Sequence, residues 1–148
     1  MLVKENLVFV DVEANTQAAV FEEIVQKAFD ADVIQEKEAV LASLKEREAM
    51  STTGMMDGFA IPHAKTNAVV EPSVVVMKLT TGVEWNSLDG KPITTVVCLL
   101  IPETESGTTH LQALSTIARM LMRSEVKEAV NKATTAQELY RVFTVVNE

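Results

Sequence analysis

The sequence predicts an α/β domain with helical layers on both sides of a sheet. Valine- and isoleucine-rich runs of strand length lie near the start and in the middle of the chain, and segments with apolar residues at helical spacing surround them. No internal repeat, low-complexity tract or linker divides the 148 residues. One domain over residues 1–148, large enough for a full hydrophobic core, is therefore expected.

Leu7 to Val12 is the first strand by its Val and Phe content. Asn15 or Thr16 caps a helix reaching about Phe29, with Val20, Phe21, Ile24, Val25, Ala28 and Phe29 at helical spacing. Asp32-Val33-Ile34-Gln35 fits a variant capping box for a second helix, about Glu36 to Met50, with Val40, Leu41 and Leu44 on one face. Ser51-Thr52-Thr53-Gly54 breaks that helix, Gly58 adds a second flexible point, and Ala60-Ile61 is a short extended piece. Ser73 to Thr80 and Ile93 to Ile101 are strands, and Asp89-Gly90 between them is a hairpin-type turn signal, so the two are expected to pair antiparallel. From about Thr108 the chain turns helical, with Leu111, Leu114, Ile117, Ala118 and Leu121 as the apolar face. Ser124 caps a short helix carrying Val126 and Val130. Thr135 to Glu138 is a capping box for a last helix with Leu139, Val142, Phe143 and Val146 inward.

Hydrophobic residues make up 47% and charged residues 23%, the proportions of a soluble globular chain. The net charge of −8 argues against non-specific nucleic-acid binding, which needs a positive footprint. It fits either a simple solubility role or a partner with a basic surface. Lys4, Glu5, Asn6 and Asp11 interrupt the first apolar run, no small-residue cleavage site follows, and no stretch is long and apolar enough to span a membrane. The single cysteine, Cys98, lies inside the apolar tract Val96 to Ile101 and reads as a buried, reduced thiol. The expected location is the cytoplasm.

Chemistry points to the two histidines, His63 and His110. Phosphate loops of the GxxxxGK[ST] and GxGxxG types are missing from the sequence. One cysteine and two distant histidines give no metal-ligand cluster. A Ser–His–Asp arrangement stays open but has no GxSxG elbow behind it. His63 follows Ile61-Pro62, where proline fixes its own φ and biases the preceding residue towards an extended backbone. It is expected at the end of an extended segment, either as a hydrogen-bonded structural residue or as a displayed nucleophile.

Gly54, Gly58 and Pro62 shape the backbone nearby, and glycine lets main-chain N–H groups approach an anion. A neutral imidazole nitrogen is a competent nucleophile towards a phosphoryl group. His110 stands at a helix start, where N–H donors and a partial positive charge favour phosphate. Arg47 lies near the end of the second helix, next to the His63 loop, as a solvated charge or as a fork of donors for phosphate oxygens. Met55, Met56 and Phe59 are either core or an adaptable docking surface.

Arg47-Glu48, then Ser51-Thr52-Thr53-Gly54, then Gly58-Phe59-Ala60-Ile61-Pro62-His63-Ala64 together resemble the phosphorylation-site signature of a bacterial family. These are the enzyme IIA domains of the phosphoenolpyruvate-dependent sugar phosphotransferase system, of the fructose–mannitol class. Trp85 to Pro92, Leu100-Ile101-Pro102-Glu103 and His110 to Leu114 follow in order as further landmarks, so the resemblance covers essentially the whole chain.

It implies a three-layer α/β/α sandwich with a central mixed sheet, and a phosphotransferase in which His63 takes a phosphoryl group from phospho-HPr, as a tele-phosphohistidine, and passes it to the IIB domain of a transporter. It implies phosphate binding by Arg47, Gly54 and His110, and no cofactor or metal. The Trp85 to Pro92 tract favours a sugar-transport role, with fructose as the expected substrate class, over the nitrogen-related regulatory branch, in which the same histidine controls protein partners. A module of the same fold without phosphotransfer is a third reading, against which His63, Arg47 and His110 together argue.

Overall fold

Val74 to Met77 and Val96 to Ile101 are buried along their whole length, which a strand achieves only when both faces of its sheet are covered. The computed structural model, which describes residues 3–104 and 108–146, has that arrangement. Its elements are β1 (Val3–Val12), α1 (Gln17–Asp30), α2 (Lys37–Met50), β2 (Phe59–Ala60), β3 (His63–Lys65), β4 (Ser73–Val83), β5 (Ile93–Ile101), α3 (Thr108–Met122), α4 (Ser124–Lys132) and α5 (Ala136–Val146). Among the described residues the strands form one mixed sheet in the order β1-β4-β5-β2, with β3 also paired to β5. β1 runs parallel to β4, β4 antiparallel to β5, and β2 and β3 parallel to β5.

Side-chain alternation sorts the sheet residues into two cores. Val75, Met77, Val96, Cys98 and Leu100 pack with α1 and α2. Val74, Val76, Val97, Leu99 and Ile101 pack with α3, α4 and α5. The result is the three-layer α/β/α arrangement. Cys98 is fully buried, and its burial pushes the thiol pKa up. Ile117 and Leu121 of α3 are buried as expected; the side chains of Leu111, Leu114 and Val146 lie outside the described residues.

Local signals explain most element ends. Thr16 caps α1 by accepting from the Ala19 N–H at 3.0 Å. At α5 the capping box forms in both directions: the Glu138 N–H donates to Thr135 Oγ1 at 3.1 Å, and the Thr135 N–H donates to Glu138 Oε1 at 3.2 Å. Thr135→Ala is expected to cost about 1 kcal/mol in urea unfolding, with an unchanged slope.

Asp32 does something other than open α2. Its φ is +61°, its N–H donates to the Phe29 carbonyl at 3.0 Å, and the Val33 N–H donates to the Ala28 carbonyl at 3.1 Å. That is a Schellman stop for α1 with aspartate in the left-handed position. Aspartate tolerates this backbone better than most residues. The expected capping box is therefore absent, and Glu36 begins α2 with no side-chain cap bond. Ser124 is likewise the first residue of α4, with Arg123 at its cap position. β1 starts at Val3, ahead of the expected Leu7, because it lies at one side of the sheet, where Lys4, Glu5 and Asn6 face solvent without cost.

Candidate active site

Helix α2 and strand β3 meet beside the end of β5. His63 opens β3, opposite Leu99, and does not close an extended piece as expected. Pro62 separates β2 from β3 because it has no N–H to donate, while its carbonyl still accepts from Leu99 at 2.9 Å. Ser43 of α2 holds β3 from the other side: its Oγ accepts from the Lys65 N–H at 3.0 Å and donates to the Lys65 carbonyl at 3.4 Å.

Between these elements runs an open groove of about 520 Å³ lined by Arg47 and His63, together with Ser43, Glu46, Lys65 and Glu103. Two of the sequence-nominated residues therefore share one concavity. His63 is half-buried, and its Nδ1 is enclosed by protein. Arg47 is also half-buried; its Nη1 donates to the Ser51 carbonyl at 2.9 Å, which anchors one edge of the guanidinium. Its remaining donors suit an oxyanion in the groove.

His110 belongs to the first turn of α3, but its side chain lies outside the described residues. Gly54 is not part of the groove lining. Its N–H donates to Thr52 Oγ1 at 3.0 Å, and a Cβ on it would lie 2.8 Å from Trp85 Cδ1 and 3.0 Å from Ser87 Cβ. Glycine is thus required there by close packing. Gly54→Ala is expected to lower stability by about 1–3 kcal/mol in denaturant unfolding.

Gly58 has φ +87°, and its carbonyl accepts from the N–H groups of both Thr94 and Thr95. Phe59 is core, at 2% exposure, and Met55 packs against the α3–α5 side. Met56 is open at 54% exposure and, with Leu88 and Met122, borders a smaller apolar groove of about 190 Å³.

Lys65 and Ser43 escaped the sequence reading, although simple periodicities mark both. Lys65 is two residues beyond His63 on a strand, hence on the same face. Ser43 is four residues before Arg47 on a helix, hence one turn below it. Glu103 joins the groove only through the fold and has no comparable local signal.

The family model described as "Phosphoenolpyruvate-dependent sugar phosphotransferase system, EIIA 2" matches residues 1–145. The chain belongs to this family. EIIA domains of this kind are phosphotransferases that act through a phosphohistidine.

A fructose-specific EIIA component from Haloferax volcanii is 35% identical over 133 residues, covering 90% of this chain and 86% of the relative. A fructose-specific EIIABC component from Bacillus subtilis is 33% identical over 133 residues, but these cover 89% of this chain and only 21% of that longer protein. A nitrogen regulatory protein from Pseudomonas aeruginosa is 36% identical over 118 residues, 80% of this chain and 72% of the relative. Among solved structures, the nitrogen regulatory protein IIA-Ntr from Neisseria meningitidis superimposes with a TM-score of 0.86 at 25% identity, covering 95% of each chain. Both the sugar and the nitrogen branches of the EIIA type 2 family are therefore near relatives. No described helix is long and apolar enough to cross a membrane.

Proposed function

We propose that this EIIA protein is the phosphocarrier of a fructose-type sugar uptake system, with His63 as the phosphoryl acceptor. The observation that carries the reading is the shared groove, which sets an imidazole beside an arginine fork. Enclosure of Nδ1 favours Nε2 as the attacking atom, consistent with a tele-phosphohistidine.

In the forward step the Nε2 lone pair attacks phosphorus on phospho-HPr. The N–P bond to the HPr imidazole breaks, and that imidazole leaves with the bonding electrons. In the second step a nucleophile on a IIB domain attacks the same phosphorus and His63 is regenerated. Arg47 stabilises the charge spread over the equatorial oxygens, and His110, in the first turn of α3, supplies a further donor at a helix N-terminus. Such a transfer is mostly positioning and electrostatics, and needs no cofactor.

The nitrogen-related regulatory reading is favoured by one observation of its own, the comparable identity to the Pseudomonas aeruginosa regulatory protein. Onward transfer separates the two. Phosphorylated protein mixed with fructose-type IIB domains is expected to lose its label to IIB within seconds to minutes. Retention of the label against every sugar IIB domain tried would reject the transport role and leave the regulatory one.

A further inference from the structure

We infer that Glu48 is a positioning residue for phosphoryl transfer, one that fixes where His63 stands relative to Arg47. The inference rests on the reading of His63 as the acceptor.

The last turn of a helix is an unfavourable place for a carboxylate, because the exposed carbonyls there carry partial negative charge. Glu48 occupies that turn of α2, directly after Arg47. Both of its oxygens are engaged by a single residue. Oε2 accepts from the Thr53 N–H at 2.8 Å, and Oε1 accepts from the Thr53 hydroxyl. Thr53 is 3% exposed, so these donors have no water to fall back on. With its proton given to Glu48, the same hydroxyl accepts from the indole N–H of Trp85 at 3.2 Å.

Thr53 then passes the constraint on. Its carbonyl accepts from the Ile61 N–H at 3.0 Å, and Gly54 forms an antiparallel bridge with Ala60. Ile61 is two residues before His63, with the stiff Pro62 between them. Arg47 meanwhile holds the Ser51 carbonyl of the same turn. Two adjacent residues of α2 therefore grip one loop, Arg47 from the groove and Glu48 from the interior. The separation of acceptor and stabiliser is set by that grip.

Glutamine cannot replace Glu48 fully. It has nearly the same shape, but with its carbonyl on the Thr53 N–H its NH2 would face the Thr53 hydroxyl, which would then have to turn its proton away from residue 48. The test compares wild type with Glu48→Gln and with Thr53→Val, which keeps shape and N–H but removes the hydroxyl. Both are expected to fold, with native circular dichroism, while emission from the single tryptophan, Trp85, shifts in Thr53→Val, where the indole loses its hydroxyl partner. The maximal rate of His63 phosphorylation is expected to fall about tenfold or more, with the half-saturating HPr concentration unchanged.

A second readout needs no phosphotransfer partner. The His63 imidazole nitrogen resonances and their pH titration should move in the unphosphorylated variants. Folded variants with wild-type phosphorylation rates and unmoved His63 resonances would overturn the role of Glu48. If Glu48→Gln fails to fold, Thr53→Val decides by the same readouts. If wild type itself takes no phosphate, the functional reading falls while the resonance comparison still decides the positioning.

Discussion

Incubation with phosphoenolpyruvate, enzyme I and HPr is expected to place one acid-labile phosphate on the wild-type protein and none on His63→Ala. The expected loss of acid-labile phosphate is complete: among the described groove residues, Glu46 and Glu103 would give an acyl phosphate and not a phosphoramidate. Ser43 is already committed to the backbone of Lys65, and an ammonium or guanidinium has no lone pair to offer phosphorus. The variant should keep its fold, since the ring is only half-buried and the β3–β5 ladder is made by backbone. Native circular dichroism with residual labelling at the wild-type rate would remove His63 from the mechanism.

The second large effect is expected at Arg47. Arg47→Ala should slow phosphorylation by about 10²–10³-fold, the cost typical of deleting a preorganised donor aimed at developing charge. Arg47→Lys should recover only part of it, because an ammonium cannot bond the Ser51 carbonyl and present a planar fork to phosphate together. Stopped-flow or quench-flow labelling with phospho-HPr measures both. Stability should change by less than about 1 kcal/mol, as the Arg47–Ser51 bond lies at the surface. A wild-type rate in Arg47→Ala would assign the groove's positive charge to Lys65 instead.

Much of the architecture was legible because local chemistry and tertiary packing agree. Val96 to Ile101 reads as an apolar tract of strand length, and it is a fully buried part of an inner strand of the sheet. Thr135 and Glu138 read as a capping box and form one. Legibility failed where one residue type serves two opposite ends. Aspartate suits an N-cap and also tolerates a left-handed backbone, so Asp32 closes α1 where it was expected to open α2.

The candidate site shows the same division. Arg47 and His63 could be nominated from motif and neighbourhood, and the fold sets them in one groove. Gly54 was nominated for the anion-binding freedom of its backbone, yet its surroundings give it a packing duty against Trp85 and an N–H already bonded to Thr52. Glu48 enters the sequence reading only beside Arg47 in the family signature, with no role of its own. Its two bonds to Thr53 depend on a loop whose path no periodicity announces.

The mounting of His63 on β5 has a dynamic consequence. β5 is paired on both sides and covered on both faces, so its amides should exchange with deuterium only when the whole molecule unfolds. The Leu99 N–H, bonded to the Pro62 carbonyl, is one of these amides. The relay histidine is therefore fastened to the slowest-opening part of the protein. Transient fraying of the outer helices or of the 84–92 connection should leave the acceptor in register, and deuterium uptake at Leu99 would report its integrity.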